Sequence, residues 1–501
     1  MTGAAGDGRV GINSLATTVP GLDEVTGGGL PEYSFNLIAG APGTGKTTLS
    51  QQIMFDLATP ERPALHFTVL GEPPLKMLRY QQQFSFFDVA QVEEGSVRFH
   101  SLATEALQGD LRGILDVIRR EVEAVHPAVV VVDSFRTLVG AAPTDGAAEL
   151  SLPGFLQELA VLLTTWQAAT FLVGEYMDAE THDSPVFTIA DGVLWLHQSV
   201  DRNSIVRKLQ VVKMRGRAHL PGLHTMRVTS DGVQIFPRII RRIAKIDTIR
   251  PTERLSLGVP ALDEMLGGGI PAWDAVLVAG PAGSGKSALA TQFIAAGLEQ
   301  NEPGVIAVFE ERPKEYLQRA RTLGDVDLDA MIRRGMLEVL YLRPLDLSVD
   351  EALLEVQQAV ARSGAKRLSI DSLSGFELAL APTFREDFRE SLYRMVGALT
   401  GSGITVFMTM EVPQSFTDLV FTPNLVSFLT DDLIVQRYIE LEGQLRKAMM
   451  VVKMRGSGHS SDIRLYDVNE SGLVIGDALT DYSGVLTGVP IHRNVRSEPG
   501  A

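Results

Sequence analysis

Cysteine is absent from all 501 residues, which excludes disulfide frameworks, thiolate nucleophiles and cysteine-ligated zinc. Aromatic residues are sparse at 7%, and the greasiest stretch, Phe155 to Val173, is broken by Gln157, Glu158 and Gln167. A membrane span of roughly 20 apolar residues is therefore not expected. Met1 to Leu15 lacks the apolar centre of a secretory signal, so a cytoplasmic location is expected. Basic residues are outnumbered: 45 Lys and Arg against 61 Asp and Glu give a net charge of −16, which repels polyphosphate backbones. The deficit is also local, with no Lys or Arg between Arg136 and Arg202 or between Arg394 and Arg437. At 45% hydrophobic residues the chain can still build packed cores, and its length suits two to four domains of roughly 100–200 residues.

The chain repeats itself. Val19-Pro20-Gly21-Leu22-Asp23-Glu24, followed by Gly27-Gly28-Gly29, returns as Val259-Pro260-Ala261-Leu262-Asp263-Glu264, followed by Gly267-Gly268-Gly269. The offset from Val19 to Val259 is 240 residues, and the same offset carries Lys213-Met214-Arg215-Gly216 onto Lys453-Met454-Arg455-Gly456. A period this long means two complete domains rather than a solenoid of roughly 20–50-residue units. The organisation expected is an N-terminal tail 1–14, a first domain 15–247, a second domain 248–483 and a tail 484–501, with the seam in the charged stretch Arg238 to Arg254.

Short apolar runs alternate with amphipathic stretches in both halves, the pattern of parallel strands joined by helices. Strands are expected at Phe35–Ala39, Ala64–Leu70, Ala128–Val132 and Thr170–Gly174, and at Ala275–Ala279, Val305–Phe309, Arg367–Ile370 and Ile404–Met408. Helices are expected at Lys46–Leu57, Leu107–Val125 and Phe155–Ala168. These elements predict α/β domains with doubly wound, mostly parallel sheets and ligands at the carboxyl ends of the strands.

Both halves carry G-x-x-x-x-G-K-[ST] between a strand and a helix, the context that phosphate-binding loop requires. Gly43, Thr44, Gly45, Lys46, Thr47 and Thr48, and Gly283, Ser284, Gly285, Lys286, Ser287 and Ala288, are thus expected to hold ATP. Backbone amides wrap the phosphates, each lysine reaches the β and γ phosphates, and the Thr47 and Ser287 hydroxyls hold Mg²⁺. An acidic residue closing a buried strand completes such a metal site. Asp133, 87 residues beyond Lys46, and Asp371, 85 beyond Lys286, follow apolar β-branched runs and fit that role.

The halves diverge where hydrolysis is decided. Phe309-Glu310-Glu311 puts two carboxylates at a strand end, suited to activating a water or hydroxyl. The first half has Leu70 and Gly71 there, with Glu72 one step later.

The duplicated loops, V-P-x-L-D-E with its triple glycine, F-E-E, and K-M-R-G in both halves resemble the KaiC family, circadian-clock ATPases and autokinases built from two RecA-like P-loop NTPase domains. The resemblance runs from about Leu15 to Pro490. It implies homo-hexameric rings with ATP at subunit interfaces, where Lys213 and Arg215, and Lys453 and Arg455, reach a neighbour's γ-phosphate. Cations delivered in trans would neutralise charge developing on the transferred group. His219 and His459, four residues after each arginine, are companions in that role or ordinary structural histidines. The resemblance also implies autophosphorylation in the second domain. Aligning Thr430-Asp431 with the family's T-D segment puts Ser427 on the acceptor serine and Phe428 on the acceptor threonine, while Thr422 matches another hydroxyl nearby. Phenylalanine has no hydroxyl, so Ser427 is the acceptor expected, in a single-site rather than a two-site cycle. A KaiB-like or signalling partner is implied, and neither DNA nor a membrane. A RecA-like DNA-dependent ATPase and a nucleotide-gated scaffold with little catalysis remain the alternatives.

Overall fold

The computed structural model describes residues 13–69, 74–137, 150–177, 184–201, 204–238, 251–321, 326–342, 348–380, 388–412, 429–470, 472–487 and 490–492. The chain divides into two compact units, residues 1–238 and 239–501.

Among the described residues each unit is built on a nine-stranded sheet. In the first, β1 (Phe35–Gly40), β2 (Ala64–Thr68), β3 (Val97–Ser101), β4 (Val129–Asp133), β5 (Ala169–Glu175) and β6 (Gly192–Asp201) run parallel. The chain then turns back through β7 (Ser204–Met214), β8 (His224–Thr229) and β9 (Gly232–Phe236), an antiparallel extension. The spatial order is β9-β8-β7-β6-β1-β5-β4-β2-β3. The second unit repeats it with β10 (Ala275–Gly280), β11 (Gly304–Val308), β12 (Leu337–Tyr341), β13 (Arg367–Asp371), β14 (Thr405–Glu411), β15 (Asp432–Leu441), β16 (Gln444–Lys453), β17 (Arg464–Asn469) and β18 (Gly472–Ala478), ordered β18-β17-β16-β15-β10-β14-β13-β11-β12.

The period-two geometry of a strand explains why the central runs are apolar throughout. Along β1, Phe35, Leu37 and Ala39 enter one core while Ile38 enters the other. The first core is closed by α3 (Leu111–Val125) and α4 (Leu152–Thr165), through Ile114, Leu115, Ile118, Phe155 and Leu159. The second is closed by α1 (Lys46–Leu57), through Leu49, Ile53 and Met54. A further helix, α2 (Pro74–Gln81), follows β2. The second unit matches with α5 (Lys286–Glu299), α6 (Pro313–Ala320), α7 (Val349–Ser363) and α8 (Phe388–Gly401).

The expected helix Leu107–Val125 is split: a short helix ends at Leu107, and α3 starts after Asp110, whose side chain accepts from the Gly113 amide at 2.9 Å. The antiparallel strands of each unit had no counterpart among the strands expected. Among the described residues no helix is long and apolar enough to cross a membrane.

Candidate active sites

β1 ends at Gly40 and α1 starts at Lys46, so the glycine-rich loop occupies the carboxyl edge of the sheet. Gly45 and Gly285, the residues before each lysine, both have φ of +102°, a backbone conformation that favours glycine. Lys46 donates from Nζ to the Ala41 carbonyl at 2.8 Å and is 7% exposed. Burial pushes its pKa down, and the carboxylates of Glu175 and then Asp133 oppose that shift. Thr47 Oγ1 donates to Asp133 Oδ2 at 2.6 Å. Burial raises the Asp133 carboxyl, against the Thr47 hydrogen bond and the Lys46 charge. Thr44 Oγ1 donates to the Ala41 carbonyl at 2.9 Å, which tightens the loop. Gly43, Thr48, Lys46, Asp133 and Glu175 line a cavity of about 450 Å³.

The second site has the same frame. Lys286 is 8% exposed and donates to the Gly280 and Pro281 carbonyls at 2.9 and 2.8 Å. Burial lowers its pKa, opposed by Glu411, Asp371 and Glu310 in that order. Asp371 Oδ1 accepts from Thr409 Oγ1 at 2.5 Å. The loop is braced from β15 and β17: Ser284 Oγ donates to Gln436 at 2.9 Å, and the Tyr466 hydroxyl donates to the Ser284 carbonyl at 2.7 Å. Gly283, Ser287 and Ala288 complete the turn into α5, where Ala288 is 6% exposed.

Glu310 and Glu311 part company. Glu310 Oε1 accepts from Ser372 Oγ at 2.7 Å, beside the strand-end Asp371. Glu311 is tied along α6 to Arg319, whose guanidinium lies 5.0 Å from the centre of the Tyr316 ring. Of the pair, Glu310 is the one held at the strand ends. Leu70, Gly71 and Glu72 lie outside the described residues, as do Ser427, Phe428 and Thr422.

The basic segments lie at the other end of each sheet. Met214 pairs with Gly192, which pairs with Asn36, whereas the loop begins at Gly40, so about 13 Å of strand separates them at about 3.3 Å per residue. There Lys213 Nζ donates to the Thr188 carbonyl at 2.9 Å, and Arg215 pairs with Asp191 at 3.1 Å. Lys453 pairs in register with Leu433, near the start of β10, and donates to the Thr430 carbonyl at 2.6 Å. Arg455 lies 3.6 Å from Asp431. His459 Nδ1 is 2.9 Å from the Ser460 carbonyl, and His219 Nδ1 is buried without a hydrogen-bond partner. Within one domain the geometry therefore gathers loop lysine, hydroxyl and aspartate, and does not bring the K-M-R-G cations to them.

Sequence reasoning missed Glu175 and Glu411 as site residues. Each closes the strand beside the loop strand, Glu175 paired with Gly40 and Glu411 with Gly280. The signal was present, since the strands expected at Thr170–Gly174 and Ile404–Met408 stop one and three residues short of these carboxylates and ligands gather at carboxyl strand ends. Asp431, of the Thr430-Asp431 segment, and Asp432 sit buried at the start of β15.

The family profile described as "ATPase: KaiC" matches twice, over residues 15–239 and 255–480. The circadian clock oscillator protein KaiC of Rippkaea orientalis is 28% identical over 489 residues, 96% of this chain and 92% of that protein. KaiC 1 of a Synechocystis species is 28% identical over 495 residues, covering 97% and 93%. KaiC of Prochlorococcus marinus is 26% identical over 497 residues, covering 98% of each. Two tandem RecA-like P-loop domains, each with lysine, hydroxyl and strand-end aspartate at the phosphate loop, are thus two KaiC ATPase domains, and the chain belongs to the KaiC family.

Proposed function

We propose that this KaiC-family ATPase works as a nucleotide-dependent ring, a homo-hexamer with ATP at its subunit interfaces, that autophosphorylates on Ser427 and serves timing or signalling in the cytoplasm. The observation that carries the reading is the opposition of loop and K-M-R-G segment across each sheet. Cations that do not meet their own domain's phosphate loop are suited to a neighbour's. In a ring, Lys213 and Arg215, and Lys453 and Arg455, would exchange their carbonyl and carboxylate partners for a neighbour's γ-phosphate.

The residues fit a magnesium nucleotide. The first site pairs the strand-end Asp133 with the loop hydroxyl of Thr47, the second carries Asp371 and Ser287 at the corresponding positions, and Mg²⁺ is usually held by one or two carboxylates plus substrate phosphates. No cluster of three or more His, Cys, Asp or Glu able to hold a metal occurs among the described residues. Bound Mg²⁺ supplies charge neutralisation on the phosphate oxygens.

In the second domain Glu310 is the base. For hydrolysis it takes a proton from water as the water oxygen bonds to Pγ and the bond from Pγ to the β–γ bridging oxygen breaks, leaving ADP. For autophosphorylation the Ser427 hydroxyl replaces water, and its proton passes to a base in the same way. The first domain holds ATP and turns it over slowly. Partners of KaiB-like or signalling type would read the phosphorylation state. Intact mass after incubation with Mg·ATP tests the kinase: one added phosphate in the unaltered chain, absent from Ser427→Ala, is the expected result. No added phosphate in either overturns the kinase and leaves an ATPase.

A further inference from the structure

The first domain has no glutamate at position 70, the residue 240 before Glu310, or at 71, yet among the described residues its phosphate-loop cavity is lined by one glutamate, Glu175. β5 runs between the loop strand β1 and the Asp133 strand β4, and Glu175 is its last residue, level with Gly40. The chain at that point is held by Arg136 and by Gly40. Arg136 donates to the Glu175 carbonyl at 2.8 Å, Arg136 also lies 5.3 Å from the centre of the Tyr176 ring, and the Tyr176 amide donates to the Gly40 carbonyl at 3.3 Å. The side chain itself is exposed at the cavity wall, among Lys46, Thr47 and Asp133. Lys46 feels Glu175 more strongly than it feels Asp133. The second domain puts Glu411 at the equivalent point, and there Glu310 stands on the far flank of the Asp371 strand as well.

We propose that Glu175 is the catalytic base of the first domain, the group that activates water for attack on the γ-phosphate of ATP held at Lys46 and Thr47. The water oxygen bonds to Pγ, the bond from Pγ to the β–γ bridging oxygen breaks, and ADP leaves. The water's proton passes to a Glu175 carboxylate oxygen and then to the released phosphate. Position alone assigns the role, since Glu175 is the carboxylate standing between the loop lysine and the strand-end aspartate. The inference rests on the reading of the first domain as an ATP-holding, slowly hydrolysing site.

The test uses the full chain carrying Lys286→Ala, which silences the second site, with and without Glu175→Gln. Phosphate release is measured together with the ATP and ADP extracted per chain. Loss of the base is expected to cut release about 100-fold while total bound nucleotide stays constant and shifts from ADP to ATP. Retained release overturns the proposal, and so does loss of bound nucleotide, which would make Glu175 a binding or structural group. Glu72→Gln in the same background overturns it if that variant loses turnover and Glu175→Gln does not. A Lys286→Ala chain that holds ATP yet releases no phosphate overturns the base and leaves the holding role standing. A chain that holds no ATP overturns both.

Discussion

The two domains share a sheet order and a loop conformation, yet they bury different polar groups under the same strands. At the first residue of the strand that ends in the site aspartate, the first domain has Val129 and the second has Arg367, each in register with the start of the neighbouring strand. Arg367 is fully buried; it bonds Glu302 at 2.8 Å and the carbonyls of Ser256 and Phe293 at 2.6 and 2.9 Å, with its guanidinium 4.9 Å from the centre of the Phe293 ring. In the other domain a fully buried ionisable group on the neighbouring strand is His66, in register with Val131 and 3.4 Å from Gln51. A common topology therefore leaves each core free to choose its polar content, and that choice sets which domain fails first.

Arginine 367 is the largest lever. Arg367→Ala strands Glu302, whose other ion-pair partner among the described residues, Lys366, sits 3.5 Å away with its side chain 60% exposed, and removes a donor from the Ser256 and Phe293 carbonyls. Breaking a buried pair by removing one partner costs about 3–5 kcal/mol. In urea, the second-domain unfolding midpoint should fall sharply while the first-domain transition stays put. Equal movement of both transitions would break the comparison.

Acid should do the reverse. Burial pulls the His66 pKa from 6.5 to about 4. The unfolded state then takes up the proton first, so the first domain loses stability as pH falls from about 6.5 towards 4, by about 3 kcal/mol at the bottom of that window. Asp432 has the opposite sign. Burial, with Asp274 and Asp431 close by, raises it to about 7, against the Arg455 backbone hydrogen bond and Arg254. Its contribution is present below about 3.8 and lost as pH rises through 7, so mild acid relieves the second domain. Thermal scans between pH 7 and 4.5 should show the first transition moving down. His66→Ile, which installs the residue found at position 306, should remove the largest share of that movement, with His224 and His100, which burial also pushes down, carrying the rest.

The third lever is catalytic. With the first site silenced by Lys46→Ala, Glu310→Gln together with Glu311→Gln should cut phosphate release about 100-fold, or about 2.7 kcal/mol of barrier. Unchanged hydrolysis would remove Glu310 from the site. Glu310→Gln alone should account for nearly all of the loss, because Glu311 is held by Arg319.

Much of this was legible in the chain itself. Lysine, hydroxyl and aspartate were readable because each has a fixed spacing from a strand or a loop, and α1 runs from Lys46 to Leu57, the helix expected to leave the glycine-rich turn. What escaped were relations set by pairing rather than spacing. Nothing local in Lys-Met-Arg-Gly says that it lies at the opposite end of the sheet from the loop; that follows from β7 running antiparallel to β6. Glu175 escaped because one glutamate after an apolar run looks like any strand end until β5 is known to lie between β1 and β4. The reading of positions 70–72 also depends on pairing. The strands β2 and β11 keep the 240-residue offset, but α2 and α6 start at Pro74 and Pro313, 239 apart. Counted from the helix, Glu72 matches Glu311 and Gly71 matches Glu310.

The smallest expected effect concerns the helix that covers the same core face in each domain. α7 begins with a reciprocal cap: Ser348 Oγ accepts from the Glu351 amide at 3.1 Å, and Glu351 Oε2 accepts from the Ser348 amide at 2.7 Å. Both residues are buried, so removing the hydroxyl leaves the Glu351 amide away from water without its acceptor. α3 has the single-sided version, Asp110 accepting from the Gly113 amide in an exposed setting where water can replace it. Loss of a capping side chain costs about 1 kcal/mol. Ser348→Ala should reach or exceed that figure, and Asp110→Ala should fall below it, although the Asp110 charge also favours the positive end of its helix. Urea midpoints of the two domains measure both, and a larger loss for Asp110→Ala would mean that helix-end charge outweighs burial in setting the strength of these caps.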